Sequence, residues 1–409
     1  MRRRFPASLI ATGGALAVVI ALLELAAVPG AGQAPTDRAT PATTANSGAA
    51  PKTPWGEPDL QGIWTYEYQI PLQRPEKYAG REFFTDAEIA ELDKQRAAQQ
   101  RFDYRAPRGS EADVSGAYNA VFLTLKHTGR RTSLIVDPPD GKIPPLTPEA
   151  RKRADADREF RLALLQATET CKNQDQACAG GKYGPPSPRR AEVPPSYLSV
   201  AVNRSDAPED RSLGERCLGA GLPDFGTAFG GSFRRIVQSP GSVAIFYDVG
   251  QGQGFQRTIP ITTSPHLPSN IRQRFGDSRA RWEGSTLVVD VTNFTAKTNY
   301  QGSRENLHLV ERWTRTGPNA LDYVVTMDDP TTWTRPWTVR QELSRQSDQA
   351  NRIYYEPRCH EGNYGLPGLL AGARAAEKAF TEGRGPDPAT LCTAGCTFGP
   401  SEETTDPLQ

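Results

Sequence analysis

The chain has 409 residues, with 48 basic and 47 acidic side chains and a formal net charge of +1. Without a global field of either sign, neither nucleic acid nor an anionic membrane surface is an expected partner. The length is enough to bury a sizeable core.

The chain opens on Met1-Arg2-Arg3-Arg4-Phe5, followed by an apolar run from Leu9 to Ala27 that only Glu24 interrupts, and then by small residues. A basic start, an apolar middle and small residues after it predict a signal peptide over 1–32, cleaved between Ala27 and Ala34. The run is too rich in glycine to make a comfortable membrane span. Arg2-Arg3-Arg4-Phe5 also has the Arg-Arg-x-Phe shape of a twin-arginine signal, so both the Sec and the twin-arginine routes stay open. The location expected is periplasmic or extracellular, with no stable membrane insertion after cleavage. Residues 33–53 are nearly all Ala, Thr, Pro, Gly and Ser and are expected to form a disordered leader.

Residues 54–398 read as a single β-rich domain with helical insertions, followed by a tail over 399–409. Gly62-Ile63-Trp64-Thr65-Tyr66 reads as a short strand. Thr85 and Glu88 form a capping box that starts a helix over about 86–100. Ser133-Leu134-Ile135-Val136 is a strand stopped by Asp137-Pro138-Pro139-Asp140-Gly141. Thr147-Pro148 caps a second helix over about 148–168. Residues from Ala177 to Arg211, rich in proline and glycine, read as a long surface insertion.

From Phe233 onward, strand follows strand. Arg234 to Gln238 and Ser242 to Asp248 flank Pro240-Gly241, and Gln256 to Thr262 comes next. Arg279 to Trp282 and Thr286 to Asn293 flank Glu283-Gly284, while Leu307 to Thr316 and Leu321 to Asp328 flank Gly317-Pro318-Asn319. Trp337 to Leu343 and Arg352 to Glu356 complete about nine strands. Turns this short leave no room for parallel crossovers, so the fold class is mainly β, an antiparallel barrel or sandwich with peripheral helices. A last helix is expected over about 367–380.

Six cysteines, an even number in a chain read as exported, point to disulfides. The pairing favoured is Cys171 with Cys178 and Cys392 with Cys396 as local loops, and Cys217 with Cys359 as the long-range bridge. A zinc site at Cys392 and Cys396 is disfavoured because no second pair follows.

Several segments resemble a large family of exported bacterial proteins of unassigned function. They are Ser133 to Gly141, Arg216-Cys217-Leu218-Gly219, Gly276-Asp277-Ser278-Arg279 with Arg281 to Asp290, Asp328-Asp329-Pro330 with Trp337-Thr338-Val339, and Cys359-His360-Glu361-Gly362-Asn363-Tyr364. The resemblance spans about Pro54 to Ala376 and implies one folded unit, but it carries no catalytic roles. The Gly-x-Trp opening and the series of hairpins are more loosely similar to calycin and lipocalin barrels, which implies a ligand cavity.

No nucleotide loop, nucleophile elbow or His-Glu-x-x-His helix is present, and no cofactor is expected. The catalytic candidates are therefore polar residues in apolar company. Alternation along Leu307 to Thr314 puts Leu307, Leu309, Glu311 and Trp313 on one face and His308, Val310, Arg312 and Thr314 on the other. Glu311 among apolar neighbours is either a general acid or base or one half of a salt bridge to an arginine. His360 and Glu361 follow Cys359 directly, which makes them either a proton shuttle held by the bridge or a backbone-bonded pair. His308 completes the catalytic set. A metal held by His308, Glu311, His360 and Glu361 is not expected, because the spacing does not demand that these segments converge.

Asp277, Arg279 and Arg281, with Glu283, are candidates for binding a polar ligand or for a surface ion-pair network. Trp282, Trp313, Tyr323 and Trp337 are candidates to line a cavity, or simply core. Two functions follow. One is a cofactor-independent lyase, isomerase or hydrolase in which Glu311 meets His360, and the other is a non-catalytic envelope protein that binds a small organic molecule. A purely structural envelope role is a third. Nothing in the pattern specifies an oligomer.

Overall fold

The computed structural model describes residues 51–99, 127–197, 202–218, 221–225, 233–250, 253–346, 359–360 and 362–391. The segments expected as signal peptide, most of the leader and the tail, the strand expected over Arg352 to Glu356, and Glu361, Cys392 and Cys396 lie outside them. All described residues belong to one compact unit, Asn46–Gln409.

Twelve strands are formed among the described residues: β1 (Gly62–Thr65), β2 (Tyr68–Gln69), β3 (His127–Thr128), β4 (Ile135–Asp137), β5 (Phe233–Ser239), β6 (Ser242–Gly250), β7 (Gln253–Pro260), β8 (Asp277–Glu283), β9 (Thr286–Thr292), β10 (His308–Gly317), β11 (Ala320–Asp328) and β12 (Trp337–Arg345). Nine of them form one antiparallel path in the order β7-β6-β5-β1-β12-β11-β10-β9-β8, and β4 pairs with β12 off that path. The short strand β1 carries the architecture. It pairs with β5 on one side and β12 on the other, joining two groups of sequential hairpins into one sheet.

The two ends of the path come back together. Ile261, just past β7, pairs with Ala280 of β8 in the parallel sense, and the Thr262 amide donates to the Ala280 carbonyl at 3.0 Å. A ring of nine strands alternating in direction must bring two of the same direction side by side, so the closing contact is parallel. Along the same seam the rings of Phe255 and Phe275 stack, 4.2 Å between centroids. The sheet is thus a nearly closed barrel, as expected of the mainly β class.

Alternation in each strand fills the interior. Leu309, Glu311 and Trp313 of β10, Leu321, Tyr323, Val325 and Met327 of β11, and Trp337, Val339 and Leu343 of β12 are all buried. Leu287, Val289 and Val291 of β9 and Val243, Ile245 and Tyr247 of β6 complete the same core. Burying side chains of this size is the dominant stabilising contribution, about 1.5–3 kcal/mol each.

Three longer helices lie outside the sheet: α1 (Asp86–Gln99), α2 (Pro148–Leu165) and, after the short α3 (Glu169–Lys172), α4 (Gly365–Thr381). At α1 the Thr85 hydroxyl accepts from the Glu88 amide, and the Glu88 carboxylate accepts from the Thr85 amide. At α2 Thr147 accepts from the Ala150 amide. Phe160, Leu164 and Leu165 of α2 form a satellite core with Cys171, Cys178 and Val202. No helix among the described residues is long and apolar enough to cross a membrane.

Some boundaries differ from the sequence reading. Pro51 to Thr53, read as the end of the leader, are folded. The Asp59 amide donates to the Pro51 carbonyl at 2.8 Å and the Thr53 amide to the Glu57 carbonyl at 2.8 Å. β8 begins at Asp277, two residues before the strand start expected at Arg279, so Asp277 is part of the strand. The turn is made by Gly276, at φ +67°, where a Cβ would stand 2.7 Å from the Thr292 carbonyl oxygen. Gly276→Ala is therefore expected to destabilise the protein by more than the about 1 kcal/mol of an ordinary glycine substitution, measurable by urea unfolding. A cost near zero would show that the 276–292 approach is loose.

Candidate functional site: buried arginines inside the barrel and a histidine cluster outside it

The interior is not purely apolar. β5, β6, β7, β10, β11 and β12 all send polar side chains inward, among them Arg234, Tyr247, Arg257, Glu311, Tyr323 and Gln341, all buried. Glu311 has no exposure, and one of its oxygens is ion-paired with Arg257. Its other oxygen accepts from the Tyr323 hydroxyl at 2.8 Å. β7 and β10 are not neighbours in the sheet, so this pair crosses the interior.

Arg234 donates to the Asp224 carbonyl and lies 3.2 Å from its carboxylate. Its guanidinium sits over the Tyr66 ring at 4.6 Å and the Tyr247 ring at 5.2 Å. Tyr323 stacks on Trp313, 4.1 Å between centroids. Burial pushes the Tyr247 phenol up, and burial together with the Glu311 carboxylate raises that of Tyr323, so both remain neutral donors.

Part of this polar set is unsatisfied. Nε and Nη1 of Arg234, Nε and Nη1 of Arg257, the Tyr247 hydroxyl, Nε1 of Trp313 and Trp337 and Oε1 of Gln341 have no hydrogen-bond partner among the described residues. Buried polar atoms are paired in the great majority of cases, so these open atoms, all of them donors except the Gln341 oxygen, set the interior apart from an ordinary apolar core.

The outer face of β8, β9 and β10 carries a second cluster. His266, on the loop between β7 and β8, places Nδ1 2.8 Å from Asp277 and Nε2 3.0 Å from Asp290. His308 places Nε2 3.2 Å from the same Asp290 oxygen. Arg279 donates to the other Asp277 oxygen at 2.7 Å, and the Leu267 amide to the first at 3.0 Å. The hydrogen bond from His308 holds the Asp290 carboxyl below its ordinary value, and the same bond raises His308.

The candidates from sequence therefore separate. Trp313, Tyr323 and Trp337 face the interior beside Glu311, and Trp282 packs against the same core from β8. Asp277 and Arg279 belong to the outer cluster, because residues of alternate parity on a strand face opposite ways. Arg281 does not join them. It donates to Glu283 at 3.0 Å, and Glu283 also pairs with Arg312 at 2.9 Å, a surface network.

Glu311 and His360 do not meet. The partners of Glu311 are Arg257 and Tyr323, while His360 is exposed next to Cys359. His308 and Glu311 are on opposite faces of β10, so they share neither a proton nor an ion. Cys171 is bonded to Cys178 and Cys217 to Cys359.

Sequence reasoning passed over Arg234, Tyr247, Arg257, His266 and Asp290. Parity gave a usable signal for the first three: Arg257 alternates with Phe255 and Ile259, Tyr247 with Val243 and Ile245, and Arg234 with Ile236. His266 lies in a loop without periodicity, and only the tertiary structure brings it to Asp277 and Asp290.

No family model and no curated protein matches the chain. Among solved structures, similarity extends to fatty-acid-binding protein 1 of Echinococcus granulosus, at 9% identity over 28% of this chain and 71% of that one, TM-score 0.20. A secretory abundant heat soluble protein of Ramazzottius varieornatus matches at 11% identity over 29% and 74%, TM-score 0.20. The fluorescent protein UnaG matches at 16% over 28% and 72%, TM-score 0.18. At these scores the likeness is local, and the barrel-like arrangement stands on its strand register alone.

Proposed function

We propose that this chain is an exported binding protein that holds a small organic molecule inside the barrel, with an acceptor-rich group of the ligand, such as a carboxylate or sulfonate, against Arg234 and Arg257. The open donors of these two buried guanidinium groups carry the reading. Each buried donor left without a partner costs about 1–3 kcal/mol, and an anionic oxygen that accepts from several of them recovers that cost. The aromatic rings of Tyr247, Phe255 and Trp313 supply apolar contact beside them. The pairing of Glu311 with Arg257 supports a binding role over acid–base chemistry, since a carboxylate held by an arginine and a tyrosine is committed to structure. Disulfides in the chain fit the exported reading.

The test is fluorescence titration with 1-anilinonaphthalene-8-sulfonate and with its neutral counterpart N-phenyl-1-naphthylamine. Binding of one sulfonate dye per chain, preferred over the neutral dye, is expected, and Arg234→Met is expected to weaken the sulfonate by about tenfold or more while sparing the neutral dye. Absence of binding, or equal affinity for the two dyes, overturns the proposal.

A further inference from the structure

The loop from Ile261 to Gly276 joins the two strands that meet at the seam, and its two halves are held differently. The second half is pinned by groups that do not titrate. The Gln273 amide donates to the Asn293 carbonyl at 2.8 Å, Arg272 donates to the carbonyls of Phe294 and Glu305, and Phe275 stacks on Phe255.

In the first half, Thr263 to Pro265 and Pro268 to Asn270 are exposed, and His266 and Leu267 are the half-buried anchors between them. Leu267 is held through its amide by Asp277 and through its carbonyl by the Asn293 side chain at 2.8 Å. His266 is held at both ring nitrogens, each by a carboxylate. A carboxylate only accepts, so both bonds exist together only while the ring carries two protons. With one proton, one nitrogen turns its lone pair toward a carboxylate and an attraction becomes a repulsion.

We propose that His266 is a proton-operated latch on the loop at the β7/β8 seam, which tightens the loop onto Asp277 and Asp290 when the ring is doubly protonated and loosens residues 262–270 as the pH rises, so that pH governs exchange through the seam. The exchange part rests on the interior-site reading, whereas the behaviour of the loop does not. Arg257, one of the two interior arginines, is on β7 itself, so the seam borders the site.

The charged and titratable groups around the ring are Asp277 and Arg279 from β8, Asp290 from β9 and His308 from β10, with Asp328 of β11 acting on His308. The signs agree. A histidine raised by its partner contributes stability that is complete below the unfolded value and is lost as pH rises through the folded one. A lowered carboxyl contributes stability present above its unfolded value and lost as pH falls through the folded one. With His308 raised from 6.5 and Asp290 lowered from 3.8, the His308–Asp290 pair that flanks the latch is strongest between those two values.

The experiment is amide hydrogen exchange of residues 262–270 in the full protein between pH 5.5 and 8.0, corrected for the intrinsic rate, in wild type and in His266→Gln. The wild-type loop is expected to lose protection over this range by on the order of tenfold more than the variant, the value of one charge-assisted hydrogen bond. Amides of β6 and β11 are expected to stay unchanged in both. An identical pH profile in wild type and variant overturns the latch.

Stopped-flow release of bound 1-anilinonaphthalene-8-sulfonate reads the exchange part. Release that quickens with pH in wild type and not in His266→Gln supports it, and release indifferent to pH alongside a responding loop overturns it. A wild-type protein that binds no dye at any pH overturns the interior site and with it the gating, while the exchange data still decide the latch.

Discussion

Arg257→Met is expected to destabilise the protein by about 3–5 kcal/mol, the largest single-residue effect in the barrel. The substitution keeps much of the side-chain volume and removes the charge together with the guanidinium donors. Glu311 is then left without exposure, with the Tyr323 hydroxyl as its one donor. Most of the expected loss is the cost of that uncompensated carboxylate, not the attraction within the pair. The same reasoning orders a series of variants. Glu311→Gln retains an acceptor for Tyr323 but strands the guanidinium, and is expected to cost a similar amount. The triple variant Arg257→Met, Glu311→Leu, Tyr323→Phe removes every polar member and is expected to recover most of the stability, because an apolar replacement of a buried ion pair is often neutral or better. Urea unfolding of the four proteins checks this. A cost under about 1 kcal/mol for Arg257→Met would mean that the pair is solvated and that the interior is wet.

The Cys217–Cys359 bridge is expected to matter more than Cys171–Cys178. It joins residues 142 apart, against 7 for the local pair. In the chain-entropy account, closing a loop of that length removes about 4–5 kcal/mol of freedom from the unfolded chain, and the short loop about 2–3. The long bridge also ties the segment around Cys217, which contributes no strand, to the residues that lead into α4. Asn363, two residues ahead of that helix, donates to the Cys217 sulfur at 3.1 Å. Replacing both Cys217 and Cys359 by serine is expected to lower the unfolding midpoint clearly more than replacing Cys171 and Cys178. Equal shifts would place the benefit in local packing and not in chain closure.

Most of the barrel can be read along the chain because its strands announce themselves twice, by alternation and by turn chemistry. Pro240-Gly241, Glu283-Gly284 and Gly317-Pro318-Asn319 each sit between two alternating runs, and each became a hairpin between neighbours in the sheet. The pairing of β1 with both β5 and β12 has no such local sign. It depends on which edges are left free once the hairpins have formed, and that is a property of the assembled sheet.

The candidate sites divide in the same way. Alternation identified Glu311 as the inward carboxylate of β10 and placed His308 on the opposite face, since both statements concern a single strand. The partner of Glu311 was not legible, because Arg257 is 54 residues away on a strand that is not its neighbour in the sheet. His360 drew attention through its position beside a cysteine, yet a residue fixed in sequence next to a disulfide is not thereby brought near any particular side chain.

The sequence by itself determined the mainly β class, the main hairpins, the inward face of β10 and the local Cys171–Cys178 loop, because periodicity, turn residues and short cysteine spacing act over a few residues. Only the tertiary structure decided that nine strands nearly close on themselves through a parallel seam, that Arg257 and Glu311 meet across the interior, and that His266 is held between Asp277 and Asp290. Those contacts join distant strands and loops, and they exist only once the sheet has curved far enough to bring its two edges together.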